Sequence, residues 1–205
     1  MTRLAVPALL IVVTAAVGHA ARPAAPERRA APSTTKGQLL VATEDLRDPR
    51  FVRTVVYMLR HDATGAIGLV VNRPLGSVPF ARVLESFGRH APETPGEIRV
   101  HYGGPVDPER GFVLHTREWA SDTSRPVHGD VAVTSDPGIF EALASGAGPR
   151  RALFAAGYAG WAPGQLEAEI NGGYWLVVTA DEALIFDDDA ASKWERATQR
   201  RRITL

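Results

Sequence analysis

From Gly37 onward, strand-length apolar runs and short helical stripes follow one another in no regular alternation, and this order restricts the possible folds more than any single residue does. A doubly wound parallel sheet needs a helix after nearly every strand, whereas strands joined by short polar turns pair antiparallel. Leu39–Thr43 and Phe51–Leu59 are β-branched or aromatic runs of strand length, separated by the turn dipeptide Asp48-Pro49. The polar turn His61–Gly65 leads directly into Ile67–Val71, whose lack of any charged position marks a strand buried on both faces. Further strands are expected at Ile98–Tyr102, Phe112–Thr116, Val131–Thr134, Ala152–Ala156, Tyr174–Thr179 and Ala183–Phe186. Ser77 is placed to cap a helix running to Phe87, with Phe80, Val83, Leu84 and Phe87 forming one stripe. Asp136-Pro137 opens a short helix through Leu143, Pro163 starts another through Ile170, and Asp187 caps a last one holding Trp194. The pattern is that of a single α+β domain with a mixed β-sheet and flanking helices.

Residues 1–36 read differently. Arg3 precedes the uncharged run Leu4–Val17, and Gly18-His19-Ala20 sets small residues at the −3 and −1 positions of a cleavage site, as in an export signal. As a helix that run spans about 21 Å, short of a hydrocarbon core of about 30 Å. The expected location is therefore exported: periplasmic, or membrane-anchored through residues 4–17, with the cytoplasm as the alternative. Residues 21–36 are rich in Ala, Pro and Arg and should form a disordered tether, leaving 37–205 as the domain.

Charge narrows the partners. Of 23 basic and 23 acidic residues, five basic and one acidic precede Gly37, so residues 37–205 carry 18 and 22, a net of −4. A mildly acidic domain lacks the concentrated positive charge that phosphate contacts require, so nucleic acid is not an expected partner. With no Cys, thiol nucleophiles and thiolate metal sites are excluded. The segment Gly157–Gly164 lacks the Lys and hydroxyl residue of a phosphate loop, and no Ser occupies a G-x-S-x-G elbow. No cofactor, metal or catalytic residue is assigned on these grounds. His101 and His115 sit on strands with their apolar neighbours on the opposite parity, so both rings should leave the apolar face. Glu167 and Glu169 point about 200° apart on a helix, whereas Gln165 and Glu169 share a face.

The two glycine-rich corners, Gly103-Gly104-Pro105 and Gly157–Gly164, admit two readings. They let backbone approach a ligand, or they are tight turns with Tyr158 and Trp161 packed as covers. Asn72, Gly103 and Gly157 each lie just past a strand, and such strand ends gather at a sheet edge. The expected ligand- or partner-binding set is therefore Asn72, Gly103, Gly104, His115, Tyr158, Gln165 and Glu167, facing a protein or a small polar ligand.

Together, Asp48-Pro49-x-Phe51, Gly65-Ala66-x-Gly68 through Asn72-Arg73-Pro74, Gly103-Gly104-Pro105-Val106, Arg110 to His115, and Gly157 to Ile170 closely resemble the YqgE/AlgH family of bacterial proteins over about residues 37–196. The resemblance implies a single α+β domain with a mixed, curved sheet and no established biochemical activity. The family's frequent label of transcriptional regulator finds no helix-turn-helix pattern here, only the terminal Arg200–Arg202 cluster. Three readings follow: a non-catalytic binding or regulatory protein; a hydrolase using His115 with Glu167 or Asn72 near Gly103-Gly104; and a regulator of DNA.

Overall fold

A computed structural model describes residues 34–89 and 94–203; the expected export signal, His90 and most of the expected tether lie outside them. Ten strands and five helices occur among the described residues. In chain order these are β1 (Gln38–Ala42), β2 (Val55–Asp62), β3 (Gly65–Val70), β4 (Pro74–Pro79), α1 (Phe80–Ser86), β5 (Glu97–Tyr102), β6 (Val106–Thr116), β7 (Arg125–His128), β8 (Val131–Thr134), α2 (Gly138–Ala144), β9 (Ala152–Trp161), α3 (Gln165–Asn171), β10 (Trp175–Thr179), α4 (Glu182–Phe186) and α5 (Ala190–Ile203).

The sheet runs β10-β1-β2-β3-β9-β6-β8-β7, with β4 added outside β5. Strand β9 organises it. Its first half pairs parallel with β5 (His101 opposite Ala155), and its second half pairs antiparallel with β3 (Ala66 opposite Trp161). Along its other edge β6 runs antiparallel, Leu114 opposite Leu153. One parallel pairing in an otherwise antiparallel ladder makes the sheet mixed, and it curls into a half-barrel. The curl brings the end of β7 against the start of β1. Gly37 there has φ +76, and a Cβ on it would lie 2.3 Å from His128 Cβ.

Strands β1 to β3 are covered on both sides, which accounts for their near-continuous apolar runs. Leu39, Val41, Val55, Tyr57 and Leu69 face the inside of the curl with Val127, Leu184 and Phe186. Leu40, Ala42, Val56, Met58 and Val70 face outward under Trp161, Leu166 and Trp175. A third cluster joins Phe80, Leu84, Ile139 and Phe140 of α1 and α2 to Ile98 and Val113. No helix among the described residues is long and apolar enough to cross a membrane.

Several boundaries differ from the sequence reading. Residues 51–54 turn, with Phe51 N–H donating to Asp48 O, so β2 starts at Val55 while Phe51 packs on Trp161 and Trp175. Ser77 caps nothing: it lies in β4 opposite Arg99, and α1 begins after Pro79 without a side-chain cap. Phe87 falls outside the core at 43% exposure. Strand β9 continues through the glycine-rich corner, because Gly157 at φ +73 shifts the side-chain parity without ending the strand. The run Ala183–Phe186 is helical; Asp181 Oδ1 accepts from Leu184 N–H at 2.7 Å as its N-cap. Asp187 closes α4, and the cap of α5 is Asp189, whose Oδ1 accepts from Ser192 N–H. Thr35, expected in the tether, is fully buried against β2.

Candidate functional site

The two glycine corners meet each other. A Cβ on Gly103 would lie 2.2 Å from Gly157 O, one on Gly104 2.1 Å from Tyr158 C, and one on Gly157 2.6 Å from Gly104 O. The space that only glycine leaves open is thus filled by the chain's own backbone. Gly103 N–H donates to Ala156 O and Gly103 O accepts from Val70 N–H, which ties the corner to β3 and β9. Tyr158 packs edge-on to Phe112, their centroids 6.0 Å apart. Asn72, just past β3, spends its amide locally: Oδ1 accepts from Val55 N–H and Nδ2 donates to Arg53 O, both at 2.9 Å. It thereby holds the 51–54 turn, in which Arg53 sits at φ +54.

Above this corner β6 departs from its partner. Val106 is opposite Tyr158 and Gly111 is opposite Ala156, so residues 107–110 arch out over Gly157. All four are exposed, and Asp107 at the arch's start has φ +46. An L-residue holds that conformation only where the surroundings impose it, Asp at less cost than most.

Gln165 and Glu167 lie elsewhere. Glu167 Oε1 is 3.1 Å from His61 Nε2 at the far end of β2. Thr35 N–H donates to Nδ1 of the same ring at 3.1 Å, so Nε2 carries the proton and donates to Glu167. The Glu167 carboxyl is held below its usual range by its own backbone N–H and by His61. Asn72 grips Val55, whereas Glu167 reaches His61; six residues of strand separate these anchors, about 20 Å at about 3.3 Å per residue. Gln165 Nε2 donates to Glu169 Oε1 at 2.9 Å, as a shared helical face allows. Glu169 Oε2 also accepts from both indoles, Trp161 Nε1 at 2.9 Å and Trp175 Nε1 at 2.8 Å. This three-donor clamp was missed from the sequence, where Glu169 read only as the partner of Gln165.

Both strand histidines are buried, where the alternation pointed to an open surface. His115 is fully buried and His101 is 6% exposed. His115 does leave the face of Phe112 and Leu114, but Trp119 covers the other face as well. His115 Nδ1 lies 3.0 Å from Thr116 O, and burial pushes the ring's pKa down. Burial also lowers His101 to about 4, aided by the positive charge of Lys193. Lys193 itself is fully enclosed: Nζ donates to Val71 O at 3.0 Å and Ile185 O at 2.9 Å, with Asp187 Oδ1 at 3.7 Å. Burial lowers this lysine to about 8.

The structure therefore brings Asn72, Gly103, Gly104 and Tyr158 to one end of the sheet, places Gln165 and Glu167 at the other, and leaves His115 on β6 apart from both. The class so defined is a single α+β domain on a curled, mixed sheet, braced by glycine-to-glycine backbone packing. Residues 39–205 match the AlgH-like family, and the chain belongs to it. It is 42% identical over 190 residues to a UPF0301 protein of Afipia carboxidovorans, covering 88% of this chain and 90% of that one. A UPF0301 protein of Caulobacter vibrioides is 46% identical over 171 residues, covering 82% and 87%. The solution structure of the AlgH protein from Pseudomonas aeruginosa aligns with TM-score 0.71 at 37% identity, over 83% of this chain and 90% of that one. A crystal structure from Corynebacterium diphtheriae, 20% identical with TM-score 0.65, shares the fold. These names carry no biochemical activity, and none is established for this chain.

Proposed function

We propose that the protein is a non-catalytic binding or regulatory protein, and that its recognition surface is the β6 arch with the glycine corner beneath it. The observation that carries this reading is the arch itself: four exposed residues led by Asp107 at φ +46, on a base where Gly103, Gly104 and Gly157 interlock. A costly exposed conformation on a rigid support is a common arrangement at binding sites. The hydrolase constellation is disfavoured, since the ring nitrogens of His115 face Thr116 O and Ser124 Oγ while Asn72 and Glu167 are each engaged by their own neighbours. The partner is a protein or a small polar ligand rather than nucleic acid, given the net −4 of residues 37–205. A photo-crosslinking residue at Glu109 should capture a discrete partner in cells, while one at Tyr174, exposed in the turn between α3 and the edge strand β10, should not. Equal capture from both positions, or none from Glu109, would refute the surface. Export through residues 1–20 belongs to the same proposal. A fusion of residues 1–36 to a reporter active only outside the cytoplasm should give signal, and silence would overturn it.

A further inference from the structure

We propose that Ser124 is an acyl-acceptor site, with His115 as its general base. The inference concerns a stoichiometric acyl modification of the chain in the loop before β7, apart from the arch, so it leaves the non-catalytic reading in place and does not depend on it. His115 Nδ1 faces the carbonyl oxygen of Thr116 at 3.0 Å. A carbonyl only accepts, so Nδ1 carries the ring proton and Nε2 presents a lone pair. At 3.4 Å from Nε2 lies Ser124 Oγ. That oxygen accepts from Ser121 N–H at 3.0 Å, and its own proton has two acceptors in reach, His115 Nε2 at 3.4 Å and Ser121 Oγ at 3.5 Å, of which the imidazole lone pair is the more basic. Nucleophile, base and orienting group thus stand in the order that activates a serine, and such contacts are commonly long before a substrate is bound.

The surroundings favour that chemistry. His115 is fully enclosed, with Trp119 edge-on at 5.3 Å between centroids, while Ser124 remains partly accessible. Burial pushes the ring's pKa down against the opposing pull of the Thr116 carbonyl and the Glu118 carboxylate, which favours the neutral, proton-accepting form. The loop bearing the nucleophile is fixed rather than loose: Ser124 N–H donates to Ser121 O at 3.0 Å, and Thr123 Oγ1 lies 3.0 Å from Thr134 Oγ1 on β8. The matching substrate class is an activated acyl donor, an ester or thioester with a good leaving group. In the step, the Ser124 Oγ–acyl carbon bond forms and the bond from acyl carbon to leaving group breaks. The serine proton passes to His115 Nε2 and from there to the leaving group. No oxidant or metal is needed.

The full chain incubated with p-nitrophenyl acetate should release nitrophenolate in a burst, and peptide mass spectrometry should place the acetyl group on Ser124. Ser124→Ala should abolish the burst, and a folded His115→Gln should slow it about 100-fold or more. Because His115 is buried and that variant can fail to fold, the pH profile of the unaltered protein is the second measurement. Acetylation of Ser124 should level off above a midpoint below the ordinary imidazole value of about 6.5. An unmodified Ser124, a burst that survives Ser124→Ala, an unchanged rate in folded His115→Gln, or a rate that climbs with hydroxide without a plateau would each overturn the proposal.

Discussion

Removing the Glu169 carboxylate should loosen the outer core more than its half-exposed position implies. The side chain accepts from Trp161 Nε1 at 2.9 Å, Trp175 Nε1 at 2.8 Å and Gln165 Nε2 at 2.9 Å. The two tryptophans are 7% and 3% exposed, so neither indole finds water easily once its acceptor is gone. A hydrogen bond to a charged group contributes about 1.5–3 kcal/mol, and a buried donor left unpaired costs about 1–3 kcal/mol. Two indoles sharing one oxygen are not additive, and water can enter from the exposed side of the carboxylate, so Glu169→Ala should cost about 3 kcal/mol in all. For a chain of this size that lowers the melting temperature by about 6–12 °C. Glu169→Gln keeps one oxygen acceptor and should lose about half as much. Thermal unfolding followed by both tryptophan fluorescence and far-ultraviolet circular dichroism provides the assay. Glu167→Ala, whose 41% exposed carboxylate meets the His61 ring and its own backbone N–H, is the control and should cost under about 1 kcal/mol. If Glu169→Ala melted within about 2 °C of the unaltered chain, the clamp would be a bystander of tryptophan packing and the reasoning would fail.

Gly104→Ala should destabilise by about 2–4 kcal/mol, since an added Cβ would sit 2.1 Å from Tyr158 C at φ +153; Gly146→Ala, at φ +75 with nothing within 4 Å, should cost only about 1–2 kcal/mol. Urea midpoints compare the two, and equal costs would remove the steric account of the corner. Lys193 predicts a pH effect. Its folded value of about 8 lies below the ordinary 10.5, so between these values the unfolded chain binds more protons and stability rises with pH. Relative to Lys193→Met, the unaltered chain should gain up to about 3 kcal/mol between pH 8 and 10.5; a constant difference across that range would mean that the buried ammonium carries no penalty.

Much of the architecture was legible because strand-length apolar runs mark β1, β3 and β8, which are buried along nearly their whole length. The uncharged Ile67–Val71 overlaps β3, whose two faces pack into two separate clusters. Apolar runs failed as a guide where something other than side-chain pattern set the element. β4 carries Pro at both ends and Gly in the middle, a composition that reads as loop, and it exists because β5 offers it an edge. The apolar run Ala183–Phe186 reads as strand, but the Asp181 cap and the inside of the curl make it a helix. His101 and His115 are buried because the alternation argument assumes one wet face where helices and loops cover both.

The site was legible in part, and the division has a physical cause. Asn72, Gly103 and Gly104 follow directly from where a run stops and a turn begins, and Tyr158 joins them from inside β9 because Gly104 packs against its backbone. Gln165 and Glu167 went to the opposite end because β9 does not stop at Ala156. The bulge at Gly157 carries the strand five residues further, to Trp161, and moves the start of α3 along the whole length of β3. A glycine at φ +73 can end a strand or bend it, and the sequence is identical in either case. Ser124 had no signal at all: it lies in a polar loop nine residues from His115, and only the fold of β6 back through β7 sets its hydroxyl against the ring. Pattern locates what packs, and chemistry assembled across a hairpin becomes visible only when the hairpin's register is known.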